Sequence, residues 1–499
     1  MRRPRRPRGS LAGSPYGANI ARPPRTVMRK PISLFEAALP LLSMLLCLVL
    51  GGFFIPMGTE LLVLVMLIAA TVAGVIAARH GHDWDAIQRT TGEKIATVLP
   101  VILILLSIGM LIGTWMFSGT IPMLVYYGVQ LIDPQFMIIT AFLVTGMMSM
   151  TGSSWAAAGT IGVALMGVAA AIHSPLPATA GAVVSGAYFG DKLSPLSDQT
   201  NICAIGANAN LYDHIRNMVY TAGPSFVVAL LVYYVAGIMT EGGAVAGSDI
   251  SHPILREIEQ AYAVSWLVFI PVLIVILGTF NRKPAALVMV VSSVTAMLIG
   301  IGVHGFSAYN AILSAISGFN VEMIEIVANT PSNMLESLLN RGGVNSMSTT
   351  LIIIIAAFLL AAGMDVSGAL DKLLQTMIGR AKSVFGLVAA TLASGATMIA
   401  LTSHGGVTAL IVGGLFRDGY RDRGLAPENL SRSLEDSVTI LEPLMPWTVS
   451  AIFMATTLGV PTVDYMPWAV FCMTGWMFSL LLAAFYERTG FGLKALQGK

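Results

Sequence analysis

Residues 185–201 hold the densest group of side chains in this chain that could do chemistry, and they lie inside a long apolar region. The stretch contains two aspartates, one lysine, one asparagine and several hydroxyls. Ionisable groups at membrane depth are costly unless they are paired or solvated, so they mark ion or substrate paths. A carboxylate that holds either a proton or a hard cation suits exchange, because protonation removes the charge that the cation needs. Asp191 and Asp198 are the candidate carboxylates.

The helix around Asp191 is predicted to break. Gly190 and Pro195 flank this aspartate, and both residue types disfavour an unbroken helix. An interrupted membrane helix frees backbone carbonyls and helix ends, which can coordinate cations. Further neutral oxygens could come from Ser194, Ser197, Thr200 and Asn201. We therefore predict a cation site on Asp191, Asp198 and Asn201, with Na⁺ as the candidate ion.

A structural interpretation of the same residues stays open. One aspartate could cap the end of a broken helix, and the other could pair with Lys192. The lysine is expected to neutralise a carboxylate rather than bind substrate, although it could attract an anion.

Two further polar breaks interrupt long apolar stretches, and each is predicted to be the turn of a re-entrant hairpin. In the first, Thr151, Ser153 and Ser154 could supply hydroxyls and turn amides to an ion, or could serve only close helix packing. In the second, Ser403 and His404 are the candidates. Histidine titrates near neutral pH, so His404 is either a proton carrier or a structural residue.

A broken span predicted over residues 434–459 adds carboxylates. Asp436 and Glu442 are candidate ion-binding groups, and Glu435 lies beside the first of them. A carboxylate at a helix start explains Glu435 and Asp436 almost as well, because helix N-termini favour negative charge. If His404 and Glu442 form an ion pair or share a proton, their titration belongs to the pair.

The composition predicts that these elements cross a membrane. Of 499 residues, 55% are hydrophobic and 11% are charged, with a mean hydropathy of +0.77. Soluble domains carry about 25% charged residues, so the chain is predicted to be an all-α polytopic membrane protein. We expect about ten spans and two re-entrant hairpins.

Nine basic residues crowd positions 1–30, which are rich in Pro and Gly. This tail is predicted to be disordered and cytoplasmic, because basic loops stay inside. Residues 487–499 also end the chain on the cytoplasmic side under this rule. The tail is explained better as an orientation signal with some attraction to anionic lipid than as a nucleic-acid binder.

Two halves of the chain show the same order of elements but enter the membrane from opposite sides, as in inverted-repeat transporters. The predicted halves are residues 31–240 and 262–486, joined by an outer linker at 241–261. Asp191 and Glu442 are 251 positions apart (442 − 191), as are Thr151 and Thr402 (402 − 151).

Enzyme signatures are missing from the sequence. It has no phosphate-binding P-loop, no His-Glu-x-x-His zinc motif and no Gly-x-Ser-x-Gly elbow, and we expect no cofactor. Three cysteines suit neither a zinc site nor a disulfide framework. An intramembrane hydrolase with Asp191 and Asp198 as a carboxyl dyad is the alternative of another class. Paired broken helices favour an exchanger over a passive channel.

One run of residues resembles the signature of the NhaC family of sodium/proton antiporters. The run is Phe189, Gly190, Asp191, Lys192, Leu193, Ser194, Pro195, Leu196, Ser197 and Asp198, followed by Thr200 and Asn201. A second resemblance covers residues 424–437 and 443–447, so the similarity spans about residues 32–486. It implies a secondary exchanger of the bacterial or archaeal cell (inner) membrane that moves Na⁺ and H⁺ by alternating access.

The same resemblance leaves other substrates open, because some relatives exchange organic acids. A proton- or sodium-coupled exchanger of a small organic acid, such as malate or lactate, or of an amine is therefore the alternative. A homodimer also stays open, since related architectures often dimerise. The chain departs from the family at residues 403–406, and at Val438 and Glu442, where relatives tend to have Gly and a small hydroxyl residue. These departures add titratable groups near the predicted centre.

Overall fold

The computed structural model describes residues 31–55, 58–240, 252–324, 333–378 and 383–496. The predicted tail at 1–30 and most of the predicted outer linker therefore lie outside the described residues. The described residues from Ile32 onward form one compact unit.

The described residues fold into helices. The first eleven are α1 (Leu34–Phe54), α2 (Thr59–Arg79), α3 (Trp84–Thr97), α4 (Leu99–Phe117), α5 (Thr120–Leu131), α6 (Met137–Ser149), α7 (Ser154–Ala157), α8 (Val163–Ala171), α9 (Leu176–Lys192), α10 (Asp198–Ala207) and α11 (Leu211–Met239). A π-helical turn, Ala158–Gly162, joins α7 to α8 without a break.

The remaining thirteen are α12 (His252–Ala261), α13 (Ile270–Phe280), α14 (Ala285–His304), α15 (Ala308–Ile316), α16 (Asn333–Leu339), α17 (Ser348–Val366), α18 (Ala369–Ile378), α19 (Val384–Thr402), α20 (Gly405–Asp422), α21 (Pro427–Leu434), α22 (Val449–Leu458), α23 (Thr462–Tyr465) and α24 (Val470–Thr489). A second π-helical turn, Glu435–Thr439, continues α21.

Within these ranges, nine helices are long and apolar enough to cross a membrane, or up to twelve if each of three bent pairs forms one span. The chain is thus an all-α polytopic membrane protein, as its composition predicts. Helix α5 (Thr120–Leu131) bends by 109° into the helical segment Pro134–Ser149. Between Pro122 and Ile132 no proline interrupts this apolar helix, and the bend comes at Asp133 and Pro134.

The four predicted breaks are present, and their bounds recur along the chain. Both ends of α20 lie 251 positions after the ends of the continuous helix Ser154–Ala171 (405 − 154 and 422 − 171). Both ends of α22 lie 251 positions after those of α10 (449 − 198 and 458 − 207). The chain therefore follows the same local path twice.

The helix caps recur at the same spacing. Ser197 and Thr448 cap α10 and α22, and each side chain accepts a hydrogen bond from the third helical residue. Gly152 and Ser403 both have positive φ, at +106° and +56°. Thus the turns that separate the helices are repeated as well as the helices.

Helices of one half pack against helices of the other. Helix α10 lies against α20, whereas α22 contacts α8 and the π turn before it. In the same way α4 packs on α14, and α17 packs on α2. Such packing between helices of the two halves is typical of an inverted-repeat transporter. It brings the breaks of both halves to the centre. The boundaries 31–240 and 262–486 stay predictions.

Candidate ion site at the broken helices

Asp191 lies where three helix ends meet. It occupies the last turn of α9, and 5% of its surface is exposed. The hydroxyl of Ser154, at the first position of α7, donates to Oδ2 of Asp191 at 3.4 Å. The hydroxyl of Ser197, the cap of α10, lies near the carboxylate and interacts with it electrostatically. A buried carboxylate is thus held among neutral hydroxyls at helix N-termini.

The break after Asp191 is stabilised by its own polar side chains. Thr200 Oγ1 donates to the carbonyl of Asp191 at 3.1 Å, and Ser194 Oγ donates to the carbonyl of Met150 at 2.9 Å. Asn201 Nδ2 donates to the carbonyls of Pro195 and Ser197 at 3.1 and 2.7 Å. Thr200, Ser194 and Asn201 therefore lie at the predicted site, where their donors hold the broken backbone in place.

Asp198 occupies a different environment from Asp191. It is the first residue of α10 and is exposed. It is still near enough for its charge to act on Asp191. The structure therefore brings the two predicted carboxylates into one region, with one of them buried and the other at the surface of the break.

The first hairpin turn, between α6 and α7, uses most of its hydroxyls locally. Thr151 Oγ1 donates to the carbonyl of Met148, and Ser153 caps α7 by accepting from the amide of Ala156. Of the three hydroxyls predicted here, Ser154 is the one that reaches Asp191.

Glu442 occupies the matching position in the second half. It is 3% exposed and lies just before α22. The amides of Gly405 and Ser450, and the Ser450 hydroxyl, lie near its carboxylate and interact with it electrostatically. These amides belong to the first turns of α20 and α22. Each half therefore places one buried carboxylate at the N-terminal ends of two helices.

His404 lies at the start of α20, and the ion pair with Glu442 that the sequence left open is not formed. Both residues are described, and no ion pair within 4.0 Å joins them. The ring nitrogen Nδ1 of His404 is buried without a hydrogen-bond partner, as is Oγ of Ser403. The neighbours of the Glu442 carboxylate are instead amides at the starts of α20 and α22, and helix N-termini favour negative charge without a cation.

Asp436 is held in a buried ion pair. The ammonium of Lys192 contacts Asp436, which also accepts from Thr221 at 3.3 Å and Ser479 at 2.6 Å. The interpretation in which Lys192 pairs with an aspartate of its own motif is therefore wrong. The π turn that begins at Glu435 carries Asp436 against α11 and α24, where these hydroxyls complete its hydrogen bonds.

Sequence reasoning missed Gln199. Its Oε1 is buried without a partner and lies close to Gly405, where a Cβ would meet it at 3.0 Å. The same Cβ would meet Oε2 of Glu442 at 2.8 Å. Gln199 stands between Asp198 and Thr200, so its place in the polar run was the available signal.

The arrangement can bind a small cation through single carboxylates and neutral oxygens. Among the described residues, no group of three or more His, Cys, Asp or Glu side chains could hold a metal ion. A site with little negative charge suits a monovalent cation, because an ion that is to be transported must be bound weakly enough to dissociate.

A cavity of about 370 Å³ leads toward the second break. Its lining includes Glu60, Thr350, Thr456 and Pro446. Pro446 lies between Glu442 and α22, so the cavity approaches the second carboxylate from the side of the α1–α2 turn.

Comparison with known proteins agrees with this architecture. Residues 186–485 match the family model described as the Na⁺/H⁺ antiporter family. The chain is 42% identical over 470 residues to an uncharacterized Na⁺/H⁺ antiporter of Haemophilus influenzae, covering 94% of this chain and 98% of the relative. It is 34% identical over 459 residues to the Na⁺/H⁺ antiporter NhaC of Bacillus subtilis, covering 90% and 97%.

A third relative carries another name. The malate-2H⁺/Na⁺-lactate antiporter of Bacillus subtilis is 30% identical over 432 residues, covering 86% of this chain and 89% of the relative. All three are transporters by name, so the hydrolase alternative is excluded. The motif of residues 189–201, the matched length and the repeated broken helices place this chain in the Na⁺/H⁺ antiporter family.

Proposed function

We propose that the chain exchanges Na⁺ for H⁺ by alternating access, with Asp191 as the group that binds either ion. The observation that carries the proposal is the burial of Asp191 among hydroxyls at a break between helices. Its neighbour Lys192 is already paired with Asp436. Within the described residues, Asp191 makes no ion pair of its own, so its charge is available to a proton or a cation.

Competition between the two ions follows from the chemistry of this site. Ionised Asp191 attracts Na⁺, and the carbonyl end of α9 adds partial negative charge on the same side. Protonation neutralises the carboxylate and releases the cation. The hydroxyls of Ser154 and Ser197 can turn either a lone pair toward Na⁺ or a proton toward the carboxylate.

Helices of one half pack against helices of the other, and this supports alternating access because one half can move relative to the other around the central breaks. We further propose that the protein lies in the cell membrane with both termini on the cytoplasmic side. Basic residues between α2 and α4, namely Arg79, Arg89 and Lys94, favour this orientation.

Purified protein in proteoliposomes tests the proposal. An imposed pH gradient should drive ²²Na⁺ uptake, and an opposite Na⁺ gradient should move protons. Asp191→Asn should nearly abolish both fluxes while the variant stays folded in detergent. Asp198→Asn is the matched control, because it removes an exposed carboxylate seven positions later (198 − 191), and we expect it to keep most of the activity. Wild-type rates in the Asp191→Asn protein would remove this residue from the mechanism.

Exchange of a small organic acid is the second candidate. It is favoured by the 30% identity to the malate-2H⁺/Na⁺-lactate antiporter. The same vesicles, loaded with malate, lactate or an amine, separate the candidates. Acid-dependent flux without Na⁺/H⁺ exchange would favour the second.

A further inference from the structure

A second buried acid–base pair lies outside the site described above. Glu435 opens the π turn Glu435–Thr439, and His214 stands in the first turn of α11. Their side chains are 1% and 0% exposed, and His214 Nε2 lies 3.9 Å from Glu435 Oε1. π-helical turns inside helices occur frequently at functional sites.

This pair leaves three polar atoms without partners. Thr439 Oγ1 donates to Glu435 Oε2. Glu435 Oε1 and both ring nitrogens of His214 have no hydrogen bond. Buried polar groups are normally satisfied, and exceptions call for an explanation such as a role in chemistry or an unplaced water. A gap of 3.9 Å between a ring nitrogen and a carboxylate oxygen is one that a small rotation or one water can close.

Glu435 is close to the ion site but is not needed to balance Lys192. Its charge acts on Asp191 and on Cys203 of α10. Lys192 is paired with Asp436, whose two carboxylate oxygens also accept hydrogen bonds from Thr221 and Ser479. Glu435 is therefore a second carboxylate, beside Asp191, whose charge Lys192 does not balance.

Electrostatic interactions link Glu435 to Asp191 and Lys192 of α9 and to Cys203 of α10. Arg432 of α21 interacts in the same way with Asp436. Helices α6 and α19 carry no ionisable residue. Arg432 donates to Asn217 Oδ1 at 3.1 Å and to the carbonyl of Gly492 at 2.7 Å.

The sum of these charges shows why a proton here would matter at Asp191. If His214 is neutral and the buried carboxylates of Asp191, Glu435 and Asp436 are all ionised, three negative charges stand against the two positive charges of Lys192 and Arg432. One elementary negative charge is left in a buried cluster. Either one monovalent cation at Asp191 or one proton on Glu435 or His214 cancels it.

We propose that Glu435 and His214 form a proton-holding station that exchanges its proton against cation occupancy at Asp191. When Na⁺ leaves Asp191, the station takes up one proton from water, as an N–H bond at His214 Nε2 or an O–H bond at Glu435. It returns that proton to water when Na⁺ binds, and no other bond changes. His214 lies one helical turn after Asn210, which caps the start of α11. The station is therefore placed between the ion site and this helix end. Glu435 and His214 act through Asp191 and are not ligands of the transported ion in this scheme. The inference rests on the proposed Na⁺/H⁺ exchange.

Two fluxes measured in the same proteoliposomes test the station. ²²Na⁺/Na⁺ exchange needs no proton, whereas ΔpH-driven ²²Na⁺ uptake does. In His214→Gln and Glu435→Gln, we expect the ratio of ΔpH-driven uptake to Na⁺/Na⁺ exchange to fall about tenfold or more. This ratio should also depend less on the pH of the compartment that faces the start of α11. Glu435→Asp keeps a carboxylate and should retain a substantial part of the coupling.

His304→Gln is the matched control. His304 is a partly buried histidine whose Nε2 contacts the Ser118 carbonyl at 2.9 Å and whose Nδ1 accepts from the Ala263 amide at 3.2 Å. Its loss should lower stability and leave the flux ratio unchanged.

The outcomes separate this inference from the function on which it rests. Wild-type protein without either flux would overturn the proposed Na⁺/H⁺ exchange. Wild-type protein with both fluxes, together with an unchanged ratio in His214→Gln and Glu435→Gln, would overturn the station alone. A proportional loss of both fluxes in these variants would also contradict it, because a structural ion pair predicts that result.

Discussion

Lys192 and Asp436 form a buried ion pair between residues 244 positions apart in the chain. Lys192 ends α9 of the first half, and Asp436 lies in the π turn of the second half. Thr221 of α11 and Ser479 of α24 add hydrogen bonds to the same carboxylate. The pair therefore joins four elements directly beside Asp191, and Asp191 itself is left without an ion pair.

Breaking this pair should destabilise the protein strongly. Lys192→Met leaves Asp436 as a buried unpaired charge, which costs about 3–5 kcal/mol. Lys192→Met combined with Asp436→Asn removes both charges and should recover much of that loss. Thermal unfolding of the purified variants in detergent measures the difference. Equal melting temperatures for the single and double variants would contradict a structural role for the pair.

The two positive-φ turns give a matched stability test. At Gly152, φ is +106° and an added Cβ would lie 2.6 Å from Cβ of Leu196, so Gly152→Ala should cost about 2 kcal/mol. Ser403 occupies the equivalent turn with φ +56° and an unbonded hydroxyl. Ser403→Gly should change stability by less than about 1 kcal/mol. Melting temperatures in the same detergent compare them, and a harmless Gly152→Ala would refute the packing argument.

Glu442 and His404 should respond differently to substitution. Glu442 lies at the starts of α20 and α22, and its carboxyl group faces their amides. Glu442→Gln removes the titratable group, and we expect exchange to slow about tenfold, or ~1.4 kcal/mol in the barrier, with an altered pH profile. No ion pair within 4.0 Å joins the two residues, so His404→Gln should leave the profile unchanged. Identical shifts in both variants, measured as exchange rate against pH, would restore the coupled pair.

Thr456 should be reachable from the cavity beside the second break. Its side chain lines the cavity, and Thr457 next to it is buried and not part of the lining. In a Cys47→Ser background, Thr456→Cys should react with a membrane-impermeant thiol reagent applied from outside, and Thr457→Cys should not. Na⁺ should change the rate of the first reaction if access alternates. Equal labelling of both positions would argue against this route.

The basic N-terminal tail should be dispensable for transport. Residues 2–27 hold many basic residues and little apolar content with which to pack. Their deletion should leave exchange intact while weakening the inside orientation of the N-terminus. Flux assays and a topology reporter fused to the N-terminus measure the two effects. Correctly inserted but inactive protein would contradict the prediction.

Sequence patterns predicted the local features of this protein well, because they depend on neighbouring residues. Long apolar runs predicted membrane-spanning helices. Gly, Pro and clustered hydroxyls predicted the break after α9 and the turn between α19 and α20, where the structure has them. The fixed spacing between Asp191 and Glu442 was also visible in the chain. The family follows from the same local motif.

Only the tertiary structure decided which residues far apart in the sequence contact each other. Lys192 could have paired with either aspartate of its own motif, and its choice of Asp436 depends on how α9 packs beside α11, α24 and the π turn. The approach of Glu435 to His214, and of Gln199 to Gly405, likewise needs helices of both halves in contact. Sequence spacing sets which face of one helix a side chain occupies. It does not set which helix lies opposite, because that depends on the packing of the whole bundle.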